Sequence, residues 1–221
     1  MKKITAALLL LAVVCPVWAA EDEAGLWVTG SVSTALAEHW RAALDIQPRF
    51  IDGVDTLERV VLRPSISRRI NDRLALTLGY DAHLIESPEG RVEQRLWQQA
   101  MITGSSGVLK THLRIRIEER FIEDVDSAAV RGRFRAGVKW PTGFSFFPHA
   151  ILRNEIFFNL NAPDRGPDTG FDQNRFFAGF ARQLAENLDG ELGYQMQYID
   201  RNGREDLAVH QAFVGLSMRL D

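Results

Sequence analysis

At 221 residues, 46% hydrophobic and 25% charged, with one cysteine, the chain excludes a disordered polymer and a disulfide-built scaffold. Its formal charge of −3, from 26 basic and 29 acidic residues, excludes a generally basic nucleic-acid binder. The length suits one domain or one barrel.

The first stretch, MKKITAALLLLAVVCPVWAA, has a basic start at Lys2 and Lys3, an apolar run from Ala6 to Val14, and a small-residue cleavage site at Val17-Trp18-Ala19. This pattern predicts a secretory signal over residues 1–19, too short and wrongly flanked for a spanning helix. Cys15 follows Val14 rather than Gly, Ala or Ser, which argues against lipidation. Cleavage removes the sole cysteine and two lysines, so residues 20–221 carry a charge of −5 and no thiol.

From there a period-two pattern repeats along the chain, apolar residues on one side and charged or polar ones on the other. Trp40, Ala42, Leu44 and Ile46 alternate with Arg41, Asp45, Gln47 and Arg49, and Val60, Leu62 and Ile66 with Arg59 and Arg63. Leu74, Leu76, Leu78 and Tyr80 oppose Thr77, Asp81 and His83; Leu113, Ile115 and Ile117 oppose Arg114, Arg116 and Glu118. Phe134, Ala136 and Val138 then face Arg133, Arg135 and Lys139, and Leu192, Tyr194 and Met196 face Glu191, Gln195 and Gln197.

Eleven such segments fall near 26–37, 40–51, 58–68, 73–84, 91–103, 108–121, 129–140, 144–159, 172–184, 188–199 and 206–220. Short connections alternate with longer acidic ones such as IESPEG, IEDVDSA and NAPDRGPDTGFD. Short turns at one rim and longer loops at the other predict an all-β, antiparallel up-and-down barrel of the outer-membrane type. The soluble alternative, a sandwich or lipocalin-like barrel with its apolar face inward, fits less well. The segments exceed the usual five or six residues, and their charged faces are arginine ladders rather than mixtures of both signs. Bacterial single-chain barrels have even strand numbers, so eleven segments imply one missed or split, with 144–159 and 25–51 the suspects. Twelve strands are expected, with ten as the alternative.

An ordered set of motifs carries a family resemblance: Arg49-Phe50, Arg63-Pro64, Gly79-Tyr80, Glu93-x-Arg95-x-Trp97-Gln98-Gln99, Arg114-x-Arg116-x-Glu118-x-Arg120, Arg131-x-Arg133, Asn154-Glu155-x-Phe157-Phe158, Asn174-Arg175 and Gly193-Tyr194. In this order they resemble the bacterial family numbered 2490 among domains of unknown function. The resemblance implies an outer-membrane barrel and supplies no activity. One departure from outer-membrane proteins in general is the ending Arg219-Leu220-Asp221, where an aromatic residue is common.

With the apolar face outward to lipid, the inward face carries Arg63, Glu93, Arg95, Arg114, Arg116, Glu118, Arg120, Arg131, Arg133, Arg135, Arg153, Glu155 and Arg175, a basic excess. The acids gather in the proposed outer loops at Asp52, Asp55, Glu86, Glu89, Glu123, Asp124, Asp126, Asp164 and Asp168. So many guanidinium groups require either a wet lumen, which would prefer anions, or carboxylates that pair them into a closed network. Glu93 with Arg95, and Glu118 with Arg116 and Arg131, are spaced for the second arrangement. An outer-membrane lipid hydrolase is the remaining class. The histidines are His39, His83, His112, His149 and His210; no G-x-S-x-G accompanies them, so no enzyme is expected. No His-x-His or His-x-x-His motif occurs, so neither a metal nor a cofactor is expected. The expected partners are outer-membrane lipid, the barrel-assembly machinery and small anionic solutes, with no nucleic acid. Trp27, Trp40, Trp97, Trp140, Phe144, Phe146, Phe147, Phe157 and Phe158 are read as interfacial girdle residues.

Overall fold

A computed structural model describes residues 20–85, 92–201 and 203–221. The proposed signal segment, Glu86, Glu89 and Asn202 lie outside the described residues. Eleven strands follow one another: β1 (Ala20–Ala37), β2 (Trp40–Ile51), β3 (Thr56–Arg69), β4 (Leu74–Ile85), β5 (Glu93–Ser106), β6 (Leu109–Ile122), β7 (Ala129–Pro141), β8 (His149–Asn159), β9 (Gly170–Ala185), β10 (Leu188–Ile199) and β11 (Asp206–Arg219). Each pairs antiparallel with the next, and β1 pairs with β11 to close the barrel. No helix occurs among the described residues.

The even strand count expected from the sequence is wrong, because the closing pair is parallel. Ala20 lies opposite Asp206, and the register runs in one direction to Ser33 opposite Arg219. A parallel seam lets an odd number of strands close without an unpaired edge. Neither suspect segment hides a strand: 25–51 contains β1 and β2, while residues 142–148 are the connection before β8. The odd count also puts the start of β1 and the end of β11 at opposite rims.

Beyond β11 the chain continues to knit the seam. The Leu220 N–H donates to the Ser33 carbonyl at 2.9 Å. Asp221 accepts two bonds of 2.8 Å from the Arg41 guanidinium and one of 3.1 Å from the Ala35 N–H. The Arg41 bond holds the Asp221 carboxyl below the usual carboxylate range. This tether is therefore complete near neutrality and is lost only as the pH falls below that range.

Residues 38–39, 70–73, 107–108, 142–148 and 186–187 connect strands at one end; 52–55, 123–128, 160–169 and the stretches after β4 and β10 connect them at the other. The rims differ less in length than the sequence suggests, because the connection read as a short turn at Pro141-Thr142 runs over residues 142–148. The tight turn at 107–108 is possible because Gly107 takes a φ of 58°, a left-handed value that costs glycine little.

Alternation along each strand makes the barrel apolar outside and polar inside. Ile115 and Ile117 are 36% and 45% exposed on the outer wall, whereas Arg114 and Arg116 between them are buried in the interior. Leu44, Leu62, Leu78, Phe134, Leu192 and Leu216 are also exposed. Glu93, Arg95, Arg131, Arg133 and Glu155 are buried.

The parallel seam fixes which residues can be cross-linked. Val28 lies opposite Val214, and the sequence offers no competing cysteine beyond Cys15. A Val28→Cys/Val214→Cys double variant is expected to form a disulfide that circularises the sheet, read as a mobility shift on a non-reducing gel. The offset pair Val28→Cys/Met218→Cys is expected to remain reduced. The reverse pattern would rule out this register.

Candidate functional site in the barrel lumen

All thirteen charged residues picked out from the alternation lie on strand positions directed into the interior, but they do not form one uniform lining. Those on β3 and β5 to β8, with Asp81 of β4, knit a carboxylate–guanidinium network. Asp81 takes two bonds of 2.7 Å from Arg63 and one of 2.5 Å from the Trp97 indole N–H. Glu93 accepts from Arg95 at 2.7 Å and Arg120 at 2.6 Å. Glu118 is fully buried and meets Arg133 at 2.5 Å, Arg131 at 2.8 Å, Arg116 at 3.5 Å and Arg95 at 3.7 Å. Glu155 joins Arg114 at 2.5 Å to Arg133 at 2.8 Å. Arg153 pairs with Glu191 at 2.8 Å. The pairs expected from spacing are present, and the hub at Glu118 draws in more arginines than spacing alone suggested.

Two acids reach the lumen that alternation alone does not identify. In β3 the register slips between Arg49 and Phe50, leaving Glu58 as an extra residue, and Glu58 pairs with Arg59 at 2.8 Å. In β9 a second slip makes Asp172 the extra residue, and it pairs with Arg131 at 2.8 Å. A bulge breaks strict alternation, so it can turn inward a residue that the two-residue period would assign elsewhere.

Several aromatics read as girdle residues are interior instead. Trp27, Trp97 and Phe157 are 5%, 2% and 1% exposed. They serve as flat supports for arginine: Arg49 lies 3.6 Å and Arg175 4.5 Å from the Trp27 ring centre, Arg116 lies 3.8 Å from Trp97, and Arg133 lies 4.4 Å from Phe157. Stacking a weakly hydrated guanidinium on a π face offsets part of its desolvation. Strand parity carried this signal, since Trp27 shares a face with Thr29 and Ser31, and Trp97 with Arg95. Gly79 makes the Trp97 position possible, because a Cβ there would overlap the indole. Trp40 and Phe158 are on the outer wall.

Beside the network the lumen contains two cavities of about 370 and 310 Å³. Arg49, Arg59, Arg95, Arg131, Gln173 and Gln197 line both. Arg63, Arg114, Arg133, Arg135, Arg153, Glu155 and Arg175 line the larger; Glu93 and Arg120 line the smaller. Arg116 and Glu118 lie behind this surface, within the network. Gln47, Gln195 and Gln211 complete much of the remaining wall. Among the described residues, Arg49, Arg135 and Arg175 have no carboxylate within ion-pair distance.

Of the histidines, His83 and His112 face inward, and His83 sits 3.7 Å from Asp81. On the outer wall, His210 bonds the Tyr194 hydroxyl at 2.6 Å and approaches Asp22 at 3.3 Å. That chain ends in a phenol rather than in the serine a hydrolase relay would need. No cluster of three or more His, Cys, Asp or Glu suited to a metal occurs among the described residues.

The fold and lumen together define a closed barrel with an apolar outer wall and a guanidinium-rich interior. Residues 24–208 match the family model described as protein of unknown function (DUF2490), and the chain belongs to that family. It is similar to an uncharacterized protein of Methylorubrum extorquens, 31% identical over 160 residues that cover 69% of each chain. No solved structure matches it.

Glu118 compensates several arginines that no water-exposed group could replace. Replacing it by glutamine (Glu118→Gln) is expected to destabilise the barrel by about 3–5 kcal/mol, the cost of leaving buried charges unpaired. Asp189→Asn, which removes a rim pair whose partners are both over 40% exposed, is expected to cost about 0–1 kcal/mol. Thermal unfolding in detergent micelles, followed by circular dichroism, measures both.

Proposed function

We propose that this protein is a bacterial outer-membrane β-barrel, exported by its N-terminal signal and inserted by the barrel-assembly machinery, whose lumen admits small anions in preference to cations. The observation that carries this reading is the inversion of the sheet: exposed leucine, isoleucine and phenylalanine outside, arginine inside. Water penalises such an exterior, whereas hydrocarbon favours it. Strands of 11 to 18 residues meet the length needed to cross a bilayer, about 9–11 residues when tilted. Acidic longer loops on one rim and short turns on the other fit an outward and a periplasmic face.

The lumenal charge sets the preferred solute. An eight-stranded barrel is about filled by its own side chains, whereas eleven strands leave more room. Arginines that lack carboxylate partners make the cavities electropositive, which concentrates anions and repels cations. No catalytic step, metal or cofactor belongs to this reading, and lipid and small anionic solutes are its partners. A closed structural barrel is the second reading, favoured by the Glu118 hub, which fills the β4 to β8 side.

Conductance separates the two. In a planar bilayer under a potassium chloride gradient, the purified barrel is expected to give a reversal potential of the sign set by chloride. A cation-selective reversal potential would refute the proposal, and a complete lack of conductance would favour the closed barrel.

A further inference from the structure

Of the three lumenal arginines without a carboxylate in ion-pair distance, two meet at one aromatic ring. Arg49 is 8% exposed, its guanidinium makes no hydrogen bond or ion pair among the described residues, and it lies against Trp27. Arg175 lies against the same ring and bonds only the side-chain oxygens of Gln173 and Gln197, at 3.3 and 3.2 Å. The Nε of each guanidinium is buried without a partner, as is the Oε1 of Gln47 two residues before Arg49. Arg49, Gln173 and Gln197 line both cavities, and Arg175 lines the larger.

Two cations held without counter-charge at one ring would each carry a desolvation cost of several kcal/mol. Of the other arginines lining the cavities, all but Arg135 avoid that cost by pairing with Glu58, Asp81, Glu93, Glu118, Glu155, Asp172 or Glu191. At Trp27 the carboxylates within reach are already engaged: Glu155, opposite Arg175 in the sheet, bonds Arg114 and Arg133, and Glu58 bonds Arg59, so neither guanidinium has a counter-charge of its own and a solute can supply one. We propose that Arg49 and Arg175, supported by Trp27, form a binding site for a small divalent oxyanion of the phosphate or short-dicarboxylate class.

The chemistry selects this class. A guanidinium holds its N–H groups in one plane, where a two-oxygen acceptor can take two at once. A spherical halide cannot use that fork. Two uncompensated cations match two negative charges, and the amides of Gln47, Gln173 and Gln197 can supply neutral hydrogen bonds around the ligand. The site rests on the reading of the lumen as a path for anions, and it adds a saturable step to that path.

The test uses the full barrel in detergent micelles, titrated at constant ionic strength with inorganic phosphate and, separately, with succinate. Calorimetry reads binding and tryptophan emission reads the site. Saturable binding of at least one probe is expected, with Trp27→Phe removing the emission change while calorimetry still reports binding. Arg49→Gln and Arg175→Gln are each expected to weaken binding at least tenfold. Arg49→Lys keeps the charge but loses the planar fork, and the same loss is expected. Arg182→Gln, at a rim, is expected to bind as the parent does. Unchanged β-sheet circular dichroism and heat-modifiable gel mobility identify the variants that are folded.

Titrations that never saturate, equal competition by chloride, or parental affinity in folded Arg49→Gln and Arg49→Lys would overturn the site. The two proposals fail separately. Anion-selective conductance without saturable binding would sink the site and leave the channel standing, whereas saturable binding without conductance would support the site and sink the channel.

Discussion

The structure depends on the compensation of charge inside a closed sheet whose apolar face points out. Once leucine, isoleucine and phenylalanine occupy the outer wall, period-two geometry sends arginine inward, and each guanidinium must find a carboxylate, a π face or a solute. Glu118 is the clearest case. Fully buried, it lies within 4 Å of Arg95, Arg116, Arg131 and Arg133, and so ties β5, β6 and β7 together. Glu155 extends the network to β8. On the other side of the lumen the amides of Gln173, Gln195, Gln197 and Gln211 outnumber the carboxylates, and Asp172, Glu191 and Glu58 there are already paired with Arg131, Arg153 and Arg59. This uneven distribution of acids leaves Arg49 and Arg175 without a counter-charge.

Much of the fold was legible because alternation is a strong local signal. Most strands begin and end within a few residues of the segments read from the pattern, although β1 starts at Ala20 rather than 26 and β8 at His149 rather than 144, and Leu113, Ile115 and Ile117 separate cleanly from Arg114 and Arg116. The strand count was not legible. Each antiparallel hairpin is a local event, whereas closure between β1 and β11 joins residues nearly two hundred positions apart and leaves no periodic trace. The assumption of an even count overrode a correct enumeration of eleven segments.

Within the lumen, the same alternation located the thirteen charged residues and the pairs of Glu93 with Arg95 and of Glu118 with Arg116 and Arg131, but not the wider network around them. Asp172 and Glu58 escaped notice because bulges shift the phase of the pattern. Trp27, Trp97 and Phe157 were misread for a different reason: aromatic residues suit both a membrane interface and an interior platform, and only the parity of each strand separates the two. Trp97 illustrates the cost of ignoring it. Its face of β5 also holds Glu93 and Arg95, and its indole bonds Asp81 across the sheet.

The orientation of the sheet can be measured directly, since Cys15, the sole cysteine, lies in the proposed signal segment and leaves residues 20–221 open to single labels. Nitroxides placed one at a time along β6, from Leu113 to Glu118, and read in lipid bilayers, report access to oxygen and to a water-soluble nickel chelate. The account predicts a two-residue alternation, with labels at 113, 115 and 117 reached by oxygen and shielded from nickel. Labels at those three positions that nickel reaches as readily as oxygen would contradict it.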